Sequence, residues 1–172
     1  MVEIAARAEA NIGSLYRFFP NKDALADALM AHYTEVLRQG FEAIEIQART
    51  ISPVVLADIL IDLLVERYAQ TRALSALLDS HADPTAVRQQ FRGQALAGVR
   101  AALVACAPHL DDARASDIAA VVLNNMKTMV GMTIKDAPTS PGAPDELRLM
   151  NRLYLTAKLG TDEGIASQSS RD

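Results

Sequence analysis

Apolar residues recur at steps of three and four along almost the whole chain. No stretch alternates strictly or runs β-branched residues between turn pairs, so the pattern predicts an all-α protein. A long helix is expected from Asn21, whose side chain suits an N-cap ahead of Lys22 and Asp23. Its stripe is Leu25, Leu29, His32, Val36, Phe41 and Ile44, and it ends before Ser52. Ser52-Pro53 and Asp83-Pro84 each set a capping side chain before a proline at the first helical position, where the missing N–H costs nothing. The first opens a helix with Leu56, Ile59, Leu60, Leu63 and Leu64 to about Tyr68, and a short element with Leu74, Leu77 and Leu78 follows. The second runs from Pro84 through Phe91 to about Cys106, after which Pro108 interrupts the path. From about Asp112 the next helix carries Ile118, Val121, Val122, Met126, Met129 and Val130, a stripe wide enough to face both a core and something else. Pro138, Pro141, Gly142 and Pro144 then make a loop before a last helix with Leu147, Met150, Leu153, Tyr154 and Ala157. The polar tail 160–172 is expected to be disordered.

At 172 residues, the chain is long enough for one or two small domains and too short for a large multidomain enzyme. A net charge of −4 excludes nucleic-acid binding by bulk positive charge, so any DNA contact must be a local motif. The longest apolar stretch, Ile118 to Ile134, carries Asn124, Asn125 and Lys127 and reads as a buried or interface helix, so no membrane span is expected. The start has neither the basic residues nor the apolar run of a secretory signal, which predicts a cytoplasmic protein. Cys106, the only cysteine, reads as a small core hydrophobe. An enzyme would need convergent groups. His32, His81 and His109 have no partners at ligand spacing, and no phosphate-cradling glycine loop is present. Neither catalysis nor a metal nor a cofactor is therefore expected.

The chemistry concentrates at the amino end. Residues 2–29 hold two short apolar patterns joined by a tight connection, then a Pro-Asn break and the long helix, which suits a helix-turn-helix. IAARA followed by IGSLYRFFPNKDAL resembles the DNA-binding signature of TetR-type transcriptional regulators. The resemblance implies that Ile4, Ala5, Ala8, Leu15 and Phe19 form a small core. It puts Asn11, Ile12, Gly13 and Ser14 at the groove end of the recognition helix, and Tyr16 and Lys22 on phosphates. Arg17 is a further phosphate candidate.

Three departures accompany the resemblance. The family unit has a helix ahead of these two, which this chain is expected to lack, leaving Ile4, Leu15 and Phe19 partly uncovered. Glu9 stands at the turn where the family usually has glycine, a position that calls for φ > 0. Phe18 stands where the family often has a polar aromatic residue. Over residues 1–33 the basic Arg7, Arg17 and Lys22 face Glu3, Glu9, Asp23 and Asp27, a net of −1.

The resemblance also implies a division into a helix-turn-helix over 1–33, joined through the helix 21–48 to a regulatory and dimerisation body over 49–159. That body would enclose a small-molecule effector site and form a homodimer whose dyad matches a palindromic double-stranded operator. Candidate effector-site residues are His32, Tyr68, His81, Phe91, Met126 and Met129, polar-tipped or adaptable side chains on apolar stripes. Two broad apolar helices from each copy, 114–134 and 145–158, would close a four-helix bundle. The expected function is an effector-controlled regulator, most simply a repressor. The alternative is a module that dimerises without binding DNA.

Overall fold

The computed structural model describes residues 1–80, 84–133 and 140–160, with side chains described outside 68–84. Seven α-helices and no strand occur among the described residues: α1 (Val2–Arg7), α2 (Ile12–Phe18), α3 (Lys22–Ala48), α4 (Pro53–Ser80), α5 (Pro84–Cys106), α6 (Asp112–Thr133) and α7 (Ala143–Leu159). The all-α expectation holds. None of these helices is long and apolar enough to cross a membrane.

The starts follow local chemistry. Asn21 caps α3, its side-chain oxygen accepting from the Ala24 N–H at 2.7 Å. Pro53 and Pro84 stand at the first positions of α4 and α5, as their missing N–H groups favour. Asp111 caps α6 by accepting from the Arg114 N–H at 2.8 Å. One expectation is corrected: the segment with Leu74, Leu77 and Leu78 is not a separate element but the second half of α4. Ala69 to Ser80 contains neither glycine nor proline, so nothing in the backbone stops the helix at Tyr68. Asp83 and the tail beyond Gly160 lie outside the described residues.

Helix α4 is the axis of the body, touching α3, α5, α6 and α7. Its described part accordingly buries Leu56, Ala57, Leu60 and Ile61 almost completely, on more than one side. The core continues through Val99, Ala102 and Leu103 of α5, Ile118, Val122, Leu123, Met126 and Met129 of α6, and Leu147, Leu155 and Leu159 of α7. Close crossings are made by glycine. A Cβ on Gly98 would lie 2.4 Å from the Phe41 ring, and one on Gly40 would lie 2.5 Å from Leu63.

Polar groups fix α7 against its neighbours. Asn151 is buried in line with Leu147 and Leu155, and it is satisfied. Its amide donates to the Leu147 carbonyl at 2.9 Å, and its oxygen accepts from Asn125 of α6 at 3.0 Å. On the α4 side, Arg148 reaches Asp62 at 2.7 Å and Asp58 at 3.4 Å. Arg152 donates through Nε to Asp58 at 2.9 Å. These half-buried pairs set the register of α7 on α4, and the contact with Asp62 raises the Arg148 pKa.

The other side of α7 is different. Leu149, Met150 and Leu153 are exposed, as is Val121 of α6. Met150, Leu153 and Ala157 were expected on the apolar stripe of this helix, and they lie outside the core of the single chain.

Candidate nucleic-acid interface

Helices α1 and α2 pack on each other at the amino end. The turn between them is a full Schellman motif: the Ala10 N–H donates to the Ala5 carbonyl at 2.9 Å and the Glu9 N–H to the Ala6 carbonyl at 3.3 Å. That motif needs a left-handed residue, and Glu9 takes it with φ of 50°. Among the described residues Glu9 is the one non-glycine with positive φ. The sequence expectation of φ > 0 here is met, by a residue whose Cβ resists it.

Asn11 caps α2. Its side-chain oxygen accepts from the Gly13 N–H at 2.8 Å and the Ser14 N–H at 3.4 Å. A Cβ on Gly13 would stand 3.1 Å from that oxygen, so the glycine lets the cap close as well as clearing the backbone for an approaching partner. The capped oxygen leaves the Asn11 amide nitrogen as the free end of the side chain. At the other end, the Phe19 N–H donates to the Leu15 carbonyl at 2.8 Å. Pro20 then turns the chain into the capped start of α3.

Asn11, Ile12, Gly13, Ser14, Tyr16, Arg17 and Lys22 are all exposed. The first four form the opening turn of α2, with Tyr16 and Arg17 on its later turn, and Lys22 is the first residue of α3. The arrangement therefore presents backbone N–H groups, an amide, two hydroxyls and two cations. Arg7 is spent differently, bridging to Glu3 at 2.9 Å on α1.

One of the expected core positions is corrected: Ala8 is exposed. Ala5 is buried, and Leu15 and Phe19 are half-buried and Ile4 40% exposed, the partial loss of cover expected for these three. Among the described residues α1 has a packed face only toward α2, so the outer side of the pair is left to solvent. Phe18 is 74% exposed for the same reason.

The effector-site candidates are not brought together. His32 lies on the exposed side of α3, its ring 5.9 Å from that of Tyr33. Met126 and Met129 are fully packed core residues. The side chains of Tyr68 and His81 lie outside the described residues. Phe91 alone borders open space, on the seam between α3 and α5. One groove of about 240 Å³ lies there between Leu37, Phe41 and Glu42 of α3 and Phe91, Ala95 and Gly98 of α5. A second, of about 480 Å³, continues toward the amino end between Asp27, Met30, Thr34 and Glu35 and the residues Val87 and Phe91.

Arg38, on the rim, binds Glu35 at 2.6 Å and also Glu42. Its hydrogen bonds hold the Glu35 carboxyl down at about 2. Sequence reading missed this clamp, although Glu35, Arg38 and Glu42 at steps of three and four were its visible signal. Among the described residues no cluster of side chains could hold a metal ion. Burial raises the Cys106 pKa, away from a reactive thiolate.

Two short helices with an exposed capped turn, leading into a long helix of an all-α bundle, are the arrangement of a helix-turn-helix. Residues 1–29 match the family model described as bacterial regulatory proteins, tetR family. No curated protein and no solved structure matches the chain.

Proposed function

We propose that the chain works as a dimeric, effector-controlled repressor that binds a palindromic operator. The observation that carries this reading is the exposed set Asn11 to Ser14, Tyr16, Arg17 and Lys22, grouped on the match to the tetR family. In the proposed complex, the opening turn of α2 enters the major groove, with Asn11 and Ser14 on base edges. Tyr16, Arg17 and Lys22 hold phosphates, and the free N–H groups at the start of α3 favour the anion beside Lys22.

The dimer uses α6 and α7. Val121, Leu149, Met150 and Leu153 are large apolar side chains left uncovered on these two helices. Two copies of the pair make a four-helix bundle that removes them from water. Residues 1–33 are the DNA-binding unit and 49–159 the regulatory and dimerisation unit, with α3 joining them. Effector binding shifts the population toward dimers whose two recognition helices are misplaced for one operator, so effector and DNA oppose each other by linkage.

The test is a titration of the chain against the DNA flanking its own gene at two salt concentrations, with footprinting. Protection over a palindrome, with affinity falling steeply as salt rises, is the expected result. A second reading, dimerisation without DNA binding, is favoured by one observation: the strained turn at Glu9, which also sets a negative charge beside the phosphates. A dimer with no salt-dependent DNA affinity would establish that reading instead. Leu153→Glu is expected to make the chain monomeric in sedimentation while leaving its helix content intact.

A further inference from the structure

Arg38, Arg49, Arg100, Arg148 and Arg152 each face a carboxylate. The seam between α5 and α6 holds a different group. Arg92 of α5 donates to the side-chain oxygen of Asn124 on α6 at 3.3 Å, and Lys127 stands one turn beyond Asn124 on the same face of α6. Neither Arg92 nor Lys127 meets a carboxylate among the described residues. Partial burial, and after it the charge of Arg92, lowers the Lys127 pKa, so two like charges are held side by side. The place is also open: a Cβ on Gly93, beside Arg92, or on Gly131, one turn past Lys127, would meet nothing within 4 Å. Two cations and the Asn124 amide thus border a space that suits a carboxylate.

Helix α7 carries one in a suitable place. Glu146, Met150, Leu153 and Ala157 follow at steps of four, three and four, so they share one face of α7, and all four are exposed. Glu146, in the first turn of α7, joins no ion pair among the described residues. Helix α7 runs against α4, where Arg148 meets Asp62 and Arg152 meets Asp58. Helix α6 runs against α5, where Arg92 meets Asn124 and Arg100 meets Asp112. Because α5 runs with α3 along their grooves and α4 folds back on α3 through the short turn 49–52, α6 and α7 are antiparallel. The Asn125–Asn151 bond gives them a common level. From it Glu146 lies about 7.5 Å and Lys127 about 3 Å toward the same end of the body, at 1.5 Å per residue.

A dyad that sets two heads on one operator runs from the bodies to the heads, along these helices, and therefore keeps every level. In the four-helix bundle, α7 of the second copy lies against α6 on the side away from the chain's own α7. Asn125 faces the chain's own α7, and Asn124 and Lys127 lie round the helix toward α5. We propose that Glu146 of the partner subunit seats among Arg92, Asn124 and Lys127, one such contact at each edge of the dimer. The proposal rests on the dimer of α6 and α7 put forward above and adds what aligns it. An apolar stripe alone tolerates sliding by a turn, whereas a carboxylate matched to two cations selects one register.

The experiment is sedimentation equilibrium of the full chain, read as a dimer dissociation constant for the parent, Lys127→Glu and Glu146→Lys. Lys127→Glu is expected to weaken the dimer about fivefold and Glu146→Lys about tenfold, since each change acts at two symmetric contacts. Both losses should shrink as salt rises, with the helix content of the parent retained. Asp145→Lys makes the same charge change in the same helical turn, off the Met150–Leu153 face, and should weaken the dimer less than about threefold. The decisive sample is an equimolar mixture of Lys127→Glu and Glu146→Lys. In a mixed dimer each contact again sets an acid against a base, so the mixture should associate more tightly than either variant alone, within about threefold of the parent.

Single variants as tight as the parent, an equal loss in Asp145→Lys, or a mixed dimer no tighter than its components would each overturn the contact while leaving the dimer in place. A parent chain that stays monomeric, or Leu153→Glu that stays dimeric, would overturn the dimer of α6 and α7 itself and the contact with it.

Discussion

Replacing Glu9 by glycine is expected to stabilise the amino-terminal helices. The turn requires a left-handed residue, and Glu9 supplies it at φ of 50°. An L side chain in that conformation costs about 1–2 kcal/mol, which glycine avoids. Against this, glycine loses more freedom on ordering, at roughly 0.5–1 kcal/mol. The net gain is about 0.5–1 kcal/mol. It falls on a small unit of two short helices, where about 1 kcal/mol changes the ratio of closed to open forms roughly fivefold.

The reporters are the Glu9 and Ala10 amides, which donate to Ala6 and Ala5 across the turn. Their hydrogen-exchange protection should rise about two- to fivefold in Glu9→Gly, while protection in the α4–α7 body stays unchanged. Glu9→Ala separates the two components, because it removes the charge and keeps the strained Cβ. Its turn protection should match the parent. If Glu9→Ala gains as much as Glu9→Gly, or if the glycine variant loses protection, the strain argument is refuted. In the operator titration, Glu9→Gln should tighten binding through charge alone, and Glu9→Gly should tighten it further.

Four other outcomes follow from the long helices. Gly98→Ala should cost about 1–3 kcal/mol in urea unfolding because its Cβ collides with Phe41. Gly93→Ala, with nothing within 4 Å of its Cβ, should instead stabilise α5 by about 0.5–1 kcal/mol; equal effects at the two sites would refute the crossing geometry. Asp58→Asn should cost about 1–2 kcal/mol by loosening Arg148 and Arg152 together, and a neutral result in the same assay would show that these pairs do not hold α7. The Glu35 carboxyl, lowered from 4.5 to about 2 by Arg38, should keep its ion pair above pH 4.5 and lose it as pH falls through 2; a carbon-detected titration midpoint above 4 would contradict the clamp.

What the sequence made legible was what local chemistry controls. Asn21 as a cap, Pro53 and Pro84 as helix starts, and the positive φ at Glu9 each depend on a few neighbouring residues, and each stands where the pattern put it. The run of residues after Tyr68 misled because a change in apolar register resembles a helix end, while the backbone lacked any breaker. Asn151 was missed although it lies four residues from both Leu147 and Leu155, the spacing of a core position. Its burial depends on Asn125 of another helix, and a pairing across helices has no signature within either. The groove between α3 and α5 was out of reach for the same reason: Phe91 was noticed, but its partners on α3 follow from a crossing that no periodicity encodes.

The same crossing explains why a ligand beside α3 could matter at the DNA. Phe41, Ile44 and Ala48 of α3 are buried, whereas its earlier part buries only Met30. The body thus buries the later half of the helix more fully, with Phe41 seated on Gly98, while the earlier half runs beside the start of α5 and leads out to Lys22. Those 19 residues span roughly 28 Å at 1.5 Å per residue. A tilt of about 5° at the Phe41 contact therefore moves the start of α3 by about 2.5 Å. That displacement exceeds the tolerance of a hydrogen bond to phosphate, which weakens well within 1 Å of its preferred length. A molecule that fills the groove between Leu37 and Phe91 and fits a wider seam better would favour such a tilt or a displacement of α5. In a dimer the two starts of α3 would move by symmetry, so their spacing would change by up to twice the single displacement. A modest preference of the ligand for the tilted arrangement would then appear as lost operator affinity, without any contact between ligand and DNA.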